Sequence, residues 1–101
     1  MGIEGGRAEI EAGIKSVLVN DLFVEVPHER IGPDDSLRDV IGLDSLGFME
    51  LRVQCENKFS VSISEEDFAP ENFTNIRSII DLILRLRASE ATAVAHIADS
   101  R

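Results

Sequence analysis

The stretch IGLDSLGFMEL, residues 41–51, sets an acid and a hydroxyl directly ahead of an apolar run. A serine in that place is an ordinary helix N-cap, its oxygen accepting from a backbone N–H of the first turn. The spacing predicts a helix from Ser45 to about Phe59. At about 100° per residue, Phe48, Leu51, Cys55 and Phe59 share one side of it. These are the bulkier residues, so that side is expected to face the core. Leu46, Met49 and Val53 fall together on another side. A helix with two apolar sides is either buried on both or keeps one open to partners. The second side lies beside Ser45, with Glu50 on its edge.

Working outward, the remaining chain also reads as helical. Ile10, Ile14, Val17, Leu18 and Leu22 predict one helix over residues 8–22. The loop VPHERIGPDDS follows, punctuated by Pro27, Gly32 and Pro33, with Ile31 and Leu37 as its expected core anchors. SVSIS, residues 60–64, alternates at Val61 and Ile63 but is too short and isolated to make a sheet. A short helical turn is expected at SEEDF, residues 64–68, capped by Ser64 and ended by Pro70. A last helix begins near Thr74 or Asn75 and carries Ile76, Ile79, Ile80, Ile83 and Leu84 on one side. The expected fold is therefore all-α: a small four-helix bundle of three longer helices and one short one, with a long first loop. The expected organisation is a flexible start over residues 1–7, one domain over 8–87, and an alanine-rich tail over 88–101, weakly helical or disordered.

Charge and composition narrow the function. In 101 residues, 19 acids oppose 10 bases, for a net charge of −9. A polyanion repels phosphate backbones, which argues against nucleic acid and for basic protein partners. No apolar run is long enough to span a bilayer. The opening MGIEGGRAEIE lacks a basic-then-apolar leader pattern, which predicts a cytoplasmic protein. The single cysteine excludes an internal disulfide and a cysteine-rich zinc site.

No catalytic frame surrounds Ser45. The glycines of GLDSLG stand at the wrong offsets for a nucleophile elbow. His28 and His96 lie in a loop and the tail, without an acid at a triad-like spacing. Cys55 occupies a core position, which disfavours a nucleophilic role. DDSLRDV does not match a calcium loop. On these residues the chain is not an enzyme and holds no metal. What remains is a serine that another enzyme modifies, or else a plain cap on an unmodified helical adaptor that binds partners through Leu46, Met49 and Val53.

GLDSL, residues 42–46, resembles the attachment motif of the acyl carrier protein family, and the resemblance extends over about residues 8–87. DDSLRDVIGLDSL resembles the family's loop into its second helix. ELRVQCENKFSVSIS resembles that helix and the turn after it, and ENFTNIRSIIDLI the approach to the last helix. The resemblance implies that a phosphopantetheinyl transferase moves the 4′-phosphopantetheine arm of coenzyme A onto Ser45, flanked by Asp44 and Leu46. It also implies acyl- or aminoacyl-loading enzymes that meet Leu46, Met49, Glu50 and Val53, on a chain that acts as a monomer. A phosphodiester there would sit at a helix N-terminus, where free N–H groups favour an anion. Asp44 is a second candidate cap for that helix, which would leave the Ser45 hydroxyl free to react.

Some features depart from carriers of primary fatty-acid synthesis. Asp44, Glu50 and Glu56 are diluted by Arg52 and Lys58, Gly47 is a poor helix former, and the first loop is long. These traits resemble stand-alone carriers of polyketide or nonribosomal-peptide pathways, with primary fatty-acid and D-alanyl-type carriers as the alternatives. Leu43 stands where peptidyl carriers place a glycine, which favours acyl cargo.

Overall fold

The computed structural model describes residues 6–99, with side chains to Ser89. Residues 1–5 of the expected flexible start, and the side chain of His96, lie outside the described residues. Three helices form: α1, Arg7–Ser16; α2, Ser45–Phe59; and α3, Ile76–Asp99. The described residues contain no strand, so the Val61–Ile63 alternation remains an extended connection.

In α1, Gly6 precedes the first turn and accepts from the Ile10 N–H at 3.0 Å. Ile10 and Ile14 are buried one turn apart. Gly13 faces α2, where an added Cβ would lie 2.8 Å from the Phe59 ring. The Phe59 ring and the Lys58 stem therefore fill the space that a side chain at position 13 would need. The helix then widens into a π turn, Val17–Asp21, whose Leu22 N–H bonds Val17 O at 2.9 Å. It closes with Phe23 in the left-handed region, φ 57°, and Val24 N–H returning to Leu18 O at 3.0 Å. That closure is a widened relative of the Schellman turn, whose left-handed residue is usually glycine. For an L side chain this conformation costs about 1–2 kcal/mol.

The first loop is long but anchored. Ile31, Leu37, Ile41 and Leu43 are all buried, as expected for Ile31 and Leu37. Leu37 N–H donates to Thr74 O at 2.9 Å, and Arg77 N–H to Pro33 O at 3.0 Å. These bonds fasten the loop to the start of α3. Gly42 adopts φ 92°, a conformation that side chains resist, just before the chain enters α2.

After α2 the chain turns at Ser60, also left-handed, and runs beneath the helix. Arg52 donates from Nη2 and Nε to Ile63 O at 2.6 and 3.1 Å, and Glu56 Oε2 accepts from Ile63 N–H at 2.7 Å. Two side chains of α2 thus satisfy both backbone groups of one residue that has no strand partner. The short turn expected at residues 64–68 forms, but the expectation that Pro70 ends it and that it supplies the short helix is corrected. Ser64 Oγ accepts from Asp67 N–H at 3.0 Å and caps a single turn. The short helix is instead a 3₁₀ turn, Pro70–Asn72, and Pro70 opens it rather than ending the one before. Proline fits there because its missing N–H would have had no helical partner in the first turn.

Helix α3 starts with reciprocal capping. Asn75 Oδ1 accepts from Ser78 N–H at 2.8 Å, and Ser78 Oγ accepts from Asn75 N–H at 3.2 Å. Ile76, Ile79, Ile80 and Ile83 are buried as expected; Leu82 is buried as well, and Leu84 is only partly so. The helical backbone continues to Asp99, into the segment for which composition predicts a weakly helical or disordered tail.

Candidate functional site

The start of α2 decides between two candidate caps. Asp44, not Ser45, is the N-cap: its Oδ1 accepts from Gly47 N–H at 2.8 Å. Ser45 is the first helical residue, exposed, and its hydroxyl has no hydrogen-bond partner among the described residues. The cap explains Gly47. A Cβ there would press on Leu43 at 3.0 Å and on the capping carboxylate at 3.3 Å. A poor helix former is retained because the buried Leu43 and the cap occupy the space.

Two hollows flank this helix start. One, about 620 Å³, is bounded by Ser45, Phe48, Met49, Phe68, Pro70 and Phe73 among others. Phe68 and Phe73 meet edge to face, 5.0 Å between ring centres, and the Arg52 guanidinium lies 4.9 Å over Phe68. Arg52 therefore braces one wall of the hollow as well as Ile63. The other hollow, about 360 Å³, lies between Leu22–Glu25 and Ile41–Asp44.

The two sides of α2 part company in burial. Leu51, Cys55 and Phe59 are buried, and Phe48 is half-buried against the core. Leu46, Met49 and Val53 are 75%, 57% and 46% exposed. Glu50 is exposed beside them and accepts from Gln54 Nε2 at 2.9 Å. Asp39, in the preceding loop, is exposed too.

Burial pushes the Cys55 thiol up to about 12, with Glu56 adding to the shift. His28 is exposed. Among the described residues no cluster of His, Cys, Asp or Glu is placed to hold a metal ion, and no helix is long and apolar enough to cross a membrane. Sequence reasoning did not find Arg52 and Phe68 as site-shaping residues. It read Arg52 as a charge that dilutes the acids of α2, and only the backbone carbonyl of Ile63 reveals its use.

The start of α2 thus presents an exposed serine with an unbonded hydroxyl on a helix capped by its neighbour. A family model described as a phosphopantetheine attachment site matches residues 21–83, more than half of the chain. The chain belongs to the family of phosphopantetheine-binding acyl carrier proteins. It is 31% identical over 79 residues to an acyl carrier protein of Chlorobium phaeobacteroides, covering 78% of this chain and 96% of that one. It is 32% identical over 79 residues to the acyl carrier protein of Chlorobium phaeovibrioides, with the same coverage. It is 34% identical over 84 residues to the meromycolate extension acyl carrier protein of Mycobacterium leprae, covering 83% of this chain and 67% of that one. The prosthetic group of the family is a covalently attached 4′-phosphopantetheine. The start of α2 fits such a group: a free hydroxyl, open solvent and an adjacent apolar hollow. Family membership removes the reading of the chain as an unmodified adaptor.

Proposed function

We propose that Ser45 is the attachment site of the arm, with Asp44 and Leu46 as its recognition context. The observation that carries this is the division of labour at the helix start. Asp44 supplies the cap, so the Ser45 hydroxyl owes nothing to the fold and is free to react. A phosphopantetheinyl transferase supplies the base and the metal, which accords with a Ser45 hydroxyl that has no hydrogen-bond partner among the described residues. The phosphate would meet the N-terminal N–H groups of α2. Asp44 places a carboxylate nearby, so its contribution to the modified site is recognition and capping rather than charge stabilisation. The arm, when bound, supplies a thiol that carries acyl groups as thioesters.

On this reading the carrier domain spans about residues 8–87 and works as a cytoplasmic monomer, and Leu46, Met49, Glu50 and Val53 receive the loading and downstream enzymes. The pathway we propose is specialised metabolism of the polyketide or nonribosomal-peptide kind. The support is the weak net charge of α2. Glu56 is spent on Ile63 N–H and Arg52 on Ile63 O, which leaves Glu50 as the acid that α2 offers beside its exposed apolar side. The similarity to a meromycolate extension carrier favours a second reading, in which the cargo is a long fatty acyl chain.

Intact mass after incubation with coenzyme A and a broad-specificity transferase tests the site. The wild-type chain should gain one phosphopantetheine and Ser45→Ala none, while that variant stays folded. Modification persisting in Ser45→Ala would remove the assignment. Incubating the loaded chain with polyketide, nonribosomal-peptide or fatty-acid loading enzymes, again read by mass, separates the pathways.

A further inference from the structure

Phe23 is a large side chain in an unfavourable place twice over. Its backbone is left-handed, where glycine is the usual choice, and its ring is 77% exposed, the most exposed large apolar residue described. The left-handed backbone lets Val24 N–H close the helix onto Leu18 O, but that closure asks for no ring, and the flanking Leu22 and Val24 make the contacts to the core. The ring stands at the rim of the 360 Å³ hollow, whose opposite side is formed by Ile41, Leu43, Asp44 and Gly47. Phe23 thus stands across that hollow from the cap of α2, on a flank to which Leu46, Met49 and Val53 do not belong.

We infer that Phe23 anchors the phosphopantetheinyl transferase, inserting into an apolar recess on a basic surface of that enzyme. This rests on Ser45 being the arm site. The partner is fixed by two observations. Exposed acids flank the ring at Asp21 and Glu25, and Asp44 lies across the hollow, so the surface around it is negative and matches a positive partner. A second copy of this chain is disfavoured, since each copy carries −9. Among arm-handling enzymes, the transferase is the one whose active site must descend onto the Ser45 hydroxyl itself. Enzymes that act on the thiol work at the far end of the arm. A body seated on Ser45 covers the cap and the Phe23 hollow together.

The test exploits the two opposed features of Phe23. Phe23→Gly removes the ring and also relieves the left-handed backbone. Its melting temperature should equal or exceed that of the wild type, while KM for the chain in transfer from coenzyme A rises about tenfold with kcat little changed, the signature of a lost aromatic anchor. Phe23→Trp should restore KM, and added salt should raise the wild-type KM. An unchanged KM in Phe23→Gly, with a wild-type chain that loads normally, overturns this inference and leaves the Ser45 assignment standing. A sharp fall in melting temperature overturns it too, by showing the ring to be structural. So does a wild-type dimer that Phe23→Gly dissolves. A wild-type chain that gains no mass breaks the Ser45 assignment itself, and this inference with it.

Discussion

On one side of α2, Leu51 and Cys55 are fully buried and Phe59 nearly so; on the other, Leu46, Met49 and Val53 stand in solvent. Both sides are apolar, so a periodicity count cannot choose between them. The choice is made by the elements around the helix. Helix α1 and its π turn pack against one side, with Gly13 letting Phe59 close to the backbone. Nothing described covers the other. The open side is the one on which the proposed partner surface rests.

The largest effect should come from the packed side. Leu51→Ala should cost about 2–5 kcal/mol, a large part of a small domain's stability. A thermal melt reads it directly. A melting temperature unmoved by this change would mean that the two sides have been exchanged. On the open side, Val53→Glu should shift stability by less than about 0.5 kcal/mol while slowing loading by partner enzymes. If that variant unfolds, Val53 is core and the contrast between the sides collapses, because burying an unpaired carboxylate is far more costly.

The smallest effect belongs off the helix. Arg77 forks onto the exposed Asp34 at 2.6 and 2.9 Å and holds its carboxyl below the ordinary value of 3.8, chiefly through those hydrogen bonds. A carboxyl with a lowered folded pKa contributes stability above its ordinary pKa and loses it as the pH falls through the folded value. Asp34→Asn should therefore melt slightly below wild type at neutral pH, and the gap should close well under pH 3.8. A gap that persists in strong acid would show that the pair acts through packing. This pair sets the scale of a surface contact against which Val53→Glu is judged.

Much of this was legible in the chain because it depends on local spacing. The helices around Ile10, Leu51 and Ile79 and the anchors Ile31 and Leu37 follow from where apolar residues recur, as does the grouping of Leu46, Met49 and Val53 on one side of α2, though not its exposure. What escaped depends on non-local partners or on backbone details that spacing does not encode. Both Ser64 and Pro70 carry helix signals, and propensity alone could not tell that the short helix begins at Pro70. Ser45 and Asp44 are both good caps in the sequence, and it is the bond from Gly47 N–H that settles on Asp44. Arg52 and Glu56 read as surface charges until Ile63 is seen to need both its backbone groups satisfied. A left-handed Phe23 runs against every local preference, so no pattern could announce it.

The burial of Cys55 has a chemical consequence for a carrier of thioesters. Thioesters exchange with thiolates, and a reactive cysteine on the same polypeptide would be a nearby acceptor for any cargo the arm holds. Cys55 is fully enclosed beneath α2, and with its thiol held near 12 it stays protonated at neutral pH. It is also the chain's one cysteine. The folded chain therefore has no thiolate of its own with which to intercept its passenger. Within the chain, a competing thiolate would arise only if the domain opened and exposed that sulfur.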